Sequence, residues 1–390
     1  MRLIHTSDWH LGMDYYRRNR SDELFRQVEQ VCDLAREKEA DVLLVVGDIF
    51  ECRTKERAHE TTKRLARTLA PYVRDGLYVV LIPGNHDDRE HFRMMHSLLD
   101  LEGGERERVR VISDREDFLF EIGGVQFACV PYPAPELLEK HRAELTSAQR
   151  SVALNARLAE LVRGLTAHLD PDRPSVFATH INVEGVTLAS GKESTYWEDM
   201  RLARGDLPAN VSYIALGHIH QPYPIEHVVP CHYSGSFDRM DMGEWEEEKC
   251  VLMVDIPPSG PAAVTPLKLE VTPFYKITVP SSGLDELPKW HTDCDRAYAD
   301  LTIECAGGED TVALRQRANE MFMCCVDVCF TGDQPSQILA NAPDQPRDYA
   351  ETVRHHLHDC YGDDPDLPEL ERRAGELIEE ALHALTKNQT

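Results

Sequence analysis

The stretch Leu77–Asp87, LYVVLIPGNHD, reads as a strand that runs straight into ligand-type side chains. Its β-branched and aliphatic run is strand-sized, and Pro83 and Gly84 end it. Asn85, His86 and Asp87 follow at once. Burying an amide, an imidazole and a carboxylate side by side is costly without partners, so packing alone does not explain them. The same arrangement recurs on both sides. RLIHTS (2–7) leads into Asp8 and His10, and DVLLVVG (41–47) into Asp48; SVFAT (175–179) leads into His180, and YIALG (213–217) into His218 and His220. Between the first two runs, ELFRQVEQVCDLAREKE (23–39) carries apolar residues at helical spacing. The alternation of short strands with helices predicts an α/β fold.

Further strands are expected at VRVI (109–112), FLFEI (118–122) with VQFACVPY (125–132), CHYSG (231–235) and KCVLMVDI (249–256), and a long helical stretch between Pro133 and Arg173. KCVLMVDI and AVTPLKLEV (263–271) should form a hairpin through PPSGP, which suits a turn. A catalytic domain is therefore expected over 1–272. FYKITVP, ADLTIEC, the helical TVALRQRANEMF and VDVCF would make a small α/β domain over 273–336, followed by a linker at 337–347. A helical tail is expected over 348–390. In its second helix Leu370, Ala374, Leu377, Ile378, Ala381, Leu382 and Leu385 form one apolar stripe, suited to a partner or to its own domain.

The chain has 390 residues, 42% of them hydrophobic, enough for a large core with appended domains. MRLIHTSDWH lacks a secretory signal pattern, and the apolar runs are too short to span a bilayer. Eleven cysteines are scattered along the length, and Cys324, Cys325 and Cys329 lack paired C-x-x-C spacing. A reducing cytoplasm and no membrane are the expectation. The net charge of −26 weighs against nucleic acid. Its distribution is uneven, because residues 361–380 carry eight acids and two bases. Arg17, Arg18 and Arg20, then Arg53, Lys55 and Arg57, then Arg89 and Arg93 follow successive motifs. Arg17, Arg18, Arg20, Arg53 and Arg89 are the candidates for contacting a phosphate substrate.

Ligands of open α/β sheets gather at the carboxyl ends of strands, so five strand ends can deliver their residues to one site. Asp8, His10, Asp48, Asn85, His180, His218 and His220 are the candidate metal ligands. A set mixing carboxylate, amide and imidazole without thiolate favours Mn, Fe or Zn. More than four ligands implies two ions, and Asp48 can bridge them. Two ions can clamp both oxygens of an in-line phosphoryl displacement. His86, with Asp87 as its neighbouring carboxylate, is the candidate to protonate the leaving oxygen.

These motifs, D8-W-H10, G47-D48-I-F, G84-N85-H86-D87, A-T-H180-I and G217-H218-I-H220, resemble those of the calcineurin-like metallophosphoesterase superfamily. HTSDWHLG, GDIF, ALGHIH and Y233-S-G235-S236-F-D-R239-M-D241-M-G243-E244 are similar to those of the SbcD-type nuclease subunits and their archaeal and eukaryotic counterparts. The resemblance covers residues 1–255. It implies a two-layer β-sandwich flanked by helices, with a small capping domain that helps place DNA. It also implies manganese-dependent exonuclease and endonuclease activity on DNA ends, homodimerisation, and a helical tail that grips the coiled coil of an SMC-like ATPase. One metal would take Asp8, His10, Asp48 and His220, the other Asp48, Asn85, His180 and His218. His86 would be catalytic. Some relatives carry a histidine where this chain has Glu51. ATP would bind the partner, since SGKES (190–194) departs from a phosphate-binding loop after Lys192. Two rival readings remain: a phosphoesterase of nucleotides or other small phosphate esters, and a non-catalytic metal-stabilised scaffold, which would have no need of His86.

Overall fold

In a computed structural model, described at residues 1–16, 18–100, 108–113, 118–133, 147–186, 201–332, 368 and 370–375, the alternation forms two six-stranded mixed sheets. In chain order the first strands are β1 (Arg2–Thr6), β2 (Val42–Val46), β3 (Tyr78–Ile82) and β4 (Val109–Val111). They are followed by β5 (Leu119–Ile122), β6 (Val125–Val130), β7 (Ser175–His180), β8 (Tyr213–Gly217), β9 (Tyr223–Ile225) and β10 (Cys231–Tyr233). The expected hairpin is present as β11 (Cys250–Asp255) and β12 (Ala263–Lys268). One sheet runs β12-β11-β1-β2-β3-β4, the other β9-β10-β8-β7-β6-β5. β1 to β4 are mutually parallel, as are β10, β8, β7 and β6.

The unalternated apolar runs are explained by burial on both faces. Leu44 and Val46 of β2 face Phe127, Val176 and Ala215 of the second sheet. Leu43 and Val45 face the helices α1 (Ser21–Glu37) and α2 (Lys55–Arg74), meeting Leu24, Val28, Val31 and Leu65. Each such side chain contributes about 1.5–3 kcal/mol on burial. α1 keeps Arg26, Glu29 and Arg36 off its buried face, as its spacing required. Thr54 caps α2 by accepting from the Arg57 N–H at 3.2 Å. After α3 (Arg89–Asp100), the second sheet is covered on its outer face by α4 (Ser147–Thr166) through Leu158, Ala159 and Val162. The expected helical stretch from Pro133 is therefore described from Ser147 onward. The layers are helix, sheet, sheet, helix.

β13 (Phe274–Pro280), β14 (Tyr298–Cys305) and β15 (Cys324–Gly332) form a three-stranded sheet, with α5 (Thr311–Met321) between the last two. β13 and β14 are parallel, which demands a crossover, and residues 281–297 supply one with 3-10 turns and the short helix Leu287–Trp290. By internal contacts the chain divides into Met1–Glu304 with Glu309–Thr331, and Cys305–Gly308 with Gly332–Thr390. The expected linker at 337–347 lies outside the described residues, as does most of the tail; residues 370–375 are helical and Leu370 is exposed.

Arg20 corrects one expectation. Instead of reaching for substrate it is fully buried, with Nη2 3.0 Å from Asp238 Oδ2 and Nε 3.2 Å from Glu23 Oε2. Its guanidinium also lies 5.4 Å from the ring centres of Phe274 and Tyr298. Tyr298 donates to Glu23 Oε2 at 3.3 Å, so this arginine ties α1 to the start of the three-stranded sheet. Replacing it takes the paired cation from the buried Asp238 and leaves Glu23 with Arg18, 3.7 Å away, as its cation. Arg20→Ala should lower stability by about 3–5 kcal/mol in urea unfolding. Unchanged stability with weakened substrate binding would restore the surface role.

Candidate two-metal centre

The site is assembled on strained loops. Asp8 (φ 54°), His10 (45°), Asp48 (50°) and His218 (100°) are four of the six described non-glycine residues with left-handed backbone. Each such conformation costs on the order of 1–3 kcal/mol and persists only where its surroundings impose it. Here the first two motifs are laced together: Asp8 N–H donates to Gly47 O (3.0 Å), His10 N–H to Asp48 O (2.9 Å) and Leu11 N–H to Ile49 O (2.9 Å). The motif glycines allow close approach. A Cβ on Gly47 would fall 1.9 Å from His180 Nδ1, and one on Gly84 would fall 2.2 Å from Asp48 Oδ1.

One half of the site holds Asp8, His10 and His220, whose donor atoms lie within 4.8 Å of one another. Asp8 Oδ2 accepts from Ser7 Oγ and, at 3.2 Å, from His218 N–H. Asp8 Oδ1 is buried without a hydrogen-bond partner and lies 3.9 Å from His220 Nε2. His220 Nδ1 is 2.8 Å from Glu244 Oε1, and His10 Nδ1 is 2.9 Å from Glu51 Oε2. The latter contact is short without the alignment of a hydrogen bond, so Glu51 acts on the ring as a charge. Both carboxylates favour a proton on Nδ1 and turn the Nε2 lone pair inward. The two Nε2 atoms then face each other at 3.2 Å, where a proton or a cation has to lie between them.

The other half holds Asp48, His180 and His218, again within 4.8 Å, with Asn85 among them. Asn85 Oδ1 is 3.1 Å from His180 Nε2 and 3.0 Å from His218 Nδ1. His180 is oriented by Val46 O, 2.9 Å from its Nδ1. Asp48 Oδ2 lies 3.2 Å from His180 Nε2 and 3.9 Å from His10 Nε2, between the halves as a shared ligand must be. The orphaned Asp8 oxygen and the converging imidazole lone pairs fit two divalent cations. All seven expected ligands thus meet in one place.

The His86 ring is half-exposed and stands edge-on to His10 at 5.0 Å, while the backbone N–H of His86 donates to Asp48 Oδ1 at 2.9 Å. The expected assistance from Asp87 is corrected. Both Asp87 oxygens turn into the loop and accept from the N–H groups of Ile49 (3.1 Å), Phe50 (2.8 Å) and Gly84 (2.8 Å). Burial and the Asp48 charge push its carboxyl up, and the three donors hold it down. The carboxylate near the His86 ring is Glu51, 4.0 Å from Nδ1. Among the described candidate arginines, Arg53 is the most exposed, 3.7 Å from Asp14, and Arg18 is half-exposed, 3.7 Å from Glu23. Arg89 donates to Pro133 O at 3.4 Å, and Arg17 lies outside the described residues.

Sequence reasoning missed two residues behind His220. Glu244 ends the quoted Y233–E244 stretch, and Lys249 is the lone base in EWEEEKC. Lys249 is buried, its Nζ 2.7 Å from Glu244 Oε2, 2.6 Å from Glu247 Oε2 and 3.0 Å from His220 O. Burial raises the Glu244 carboxyl, but His220 and Lys249 outweigh it and hold the group well below its usual range.

In the metal-free protein burial lowers His180 and His220, yet Asp48 and Glu244 respectively overcome it and push each ring up to about 9. Both rings then carry a proton at neutral pH that a metal must displace. Metal affinity should rise with pH and level off above about 9. Calorimetry in buffers of different ionisation enthalpy should register the released protons; pH-independent affinity would contradict this.

A family model for calcineurin-like phosphoesterases matches residues 1–222, the span holding all seven ligands and His86. The chain is 24% identical over 325 residues to the SbcD component of the SbcCD nuclease of Bacillus subtilis, covering 78% of this chain and 80% of that one. It is 23% identical over 286 residues to the same component of Escherichia coli K12, covering 70% and 69%. It is 26% identical over 290 residues to "DNA double-strand break repair protein Mre11" of Aeropyrum pernix, covering 71% and 63%. With the matched model spanning more than half of its length and every motif of the site, the chain belongs to the calcineurin-like phosphoesterase family.

Proposed function

We propose that this protein is a two-metal DNA phosphodiesterase, an exonuclease and endonuclease acting on DNA ends in repair as the nuclease subunit of an ATPase–nuclease complex. The observation that carries this reading is the pair of donor clusters joined by Asp48 with the half-exposed His86 beside them. The relatives named as SbcCD nuclease components and as a break-repair protein support DNA as the substrate and an SMC-like coiled-coil ATPase as the partner. Two divalent ions, manganese in our reading, would supply a hydroxide at neutral pH and offset charge on the phosphate oxygens. Asp8, His10, Asp48 and His220 would hold one, and Asp48, Asn85, His180 and His218 the other. His86 groups with His10 and Glu51 rather than completing either ligand set, and donates a proton to the leaving oxygen as the P–O bond breaks. Glu51 and the edge of His10 hold its ring in place. Arg53 and Arg18, which reach solvent, are suited to backbone phosphates, with Arg17 and Arg89 in the same role.

In this reading residues 1–272 form the nuclease domain, 273–336 the capping domain, 337–347 the linker and 348–390 the partner-binding tail, in a cytoplasmic homodimer. Among the described residues no helix is long and apolar enough to cross a membrane. The net charge of −26 favours a second reading, hydrolysis of nucleotides or other small phosphate esters.

Manganese-dependent cleavage of linear duplex DNA is expected from the wild-type chain, and a loss of about 100-fold or more from His86→Ala or Asp48→Ala, measured by gel assay. Hydrolysis of a small phosphodiester such as bis-p-nitrophenyl phosphate with no DNA cleavage, with or without the ATPase, would favour the second reading. Deleting residues 345–390 should spare metal binding and abolish co-purification with the coiled-coil ATPase. Retained association would move the docking surface elsewhere.

A further inference from the structure

The two halves of the donor set are unequal in charge. The half with Asp8, His10 and His220 has a carboxylate of its own besides Asp48, and both of its imidazoles are backed by carboxylates, Glu51 and Glu244. In the other half Asn85 is neutral, and His180 is backed by the uncharged Val46 carbonyl. Burial does not separate the halves, since Asp8 and His10 are buried with His220 partly exposed, and Asp48 and His180 are buried with His218 partly exposed and Asn85 exposed; charge does. Glu244 divides its oxygens, Oε1 toward His220 and Oε2 toward Lys249, so the lysine keeps it ionised without taking the oxygen that polarises the ring. A divalent cation binds more tightly where more anionic charge converges on a site already formed. A carboxylate behind an imidazole also raises the basicity of the ligating nitrogen.

We propose that the Asp8–His10–His220 half takes its divalent ion first and holds it more tightly, with Glu51 and Glu244 as the positioning residues that set the difference. The inference rests on the two-metal reading and is independent of the substrate. Loading is then ordered. At limiting metal the chain carries one ion in the half with Asp8, and the half around Asn85 fills last.

The test is a Mn²⁺ titration of the full chain, reading free Mn²⁺ by electron paramagnetic resonance, with no DNA present. Two classes of site differing by roughly tenfold or more are expected, and Glu51→Gln or Glu244→Gln should weaken the tight class by about 10-fold or more while sparing the weak one. Glutamine keeps the reach of either side chain and removes only its charge. Asn85→Ala should remove the weak class and leave the tight one. Glu51 is partly exposed, so its variant reports even if Glu244→Gln, which leaves Lys249 with Glu247 as its remaining carboxylate, fails to fold. Two equal classes, or a Glu51→Gln effect on the class that Asn85→Ala removes, would overturn the inference alone. Fewer than two ions bound to the wild type would overturn it together with the two-metal reading. Two ordered classes in a chain that fails to cut DNA would uphold it and discard only the DNA substrate.

Discussion

Two imidazole nitrogens facing each other at 3.2 Å, beside a buried carboxylate oxygen with no hydrogen-bond partner, form an arrangement that a chain does not adopt by default. A proton or a cation has to sit between the two rings, and the loops around them are wound left-handed at Asp8, His10 and Asp48. The surrounding structure therefore has to hold them there. It does so with parallel strands buried on both faces, whose ends converge on one edge, and with backbone hydrogen bonds that lace the first motif to the second. Packing supplies the free energy that the loops store as strain, and a bound cation would release part of it.

Around that centre the acidic groups are graded by what they face. Asp87 is spent on backbone N–H groups and gives the loop its shape. Glu244 is matched by Lys249 and acts through His220. Glu51, in contact with His10 and near His86, lies beside both a candidate ligand and the candidate proton donor. A count of carboxylates near the site would treat these three alike, although their partners give each a different task.

The α/β alternation, the hairpin through PPSGP and the five strand ends that carry the candidate ligands were legible because burial on both faces leaves an unbroken apolar run in the sequence. Side-chain direction was not legible. Asp87 sits next to His86 along the chain and turns the other way, while Glu51 comes near it from another loop. Arg20 looked like one of a basic cluster, yet its charge is met by Asp238, more than two hundred residues further on. Pairing across such separations depends on which strands become neighbours, and local pattern does not encode that. Glu244 and Lys249 lie only 24 and 29 residues from His220 and escaped because the sequence does not show which way their side chains turn.

The missing Cβ atoms at Gly47 and Gly84 bear on how this centre can change over generations. With His180 and Asp48 occupying the space where those atoms would be, the loops interlock. A side chain at either glycine would displace a residue carried by another strand end. A change at one of these positions therefore reaches a second loop at once, so the two have to vary together.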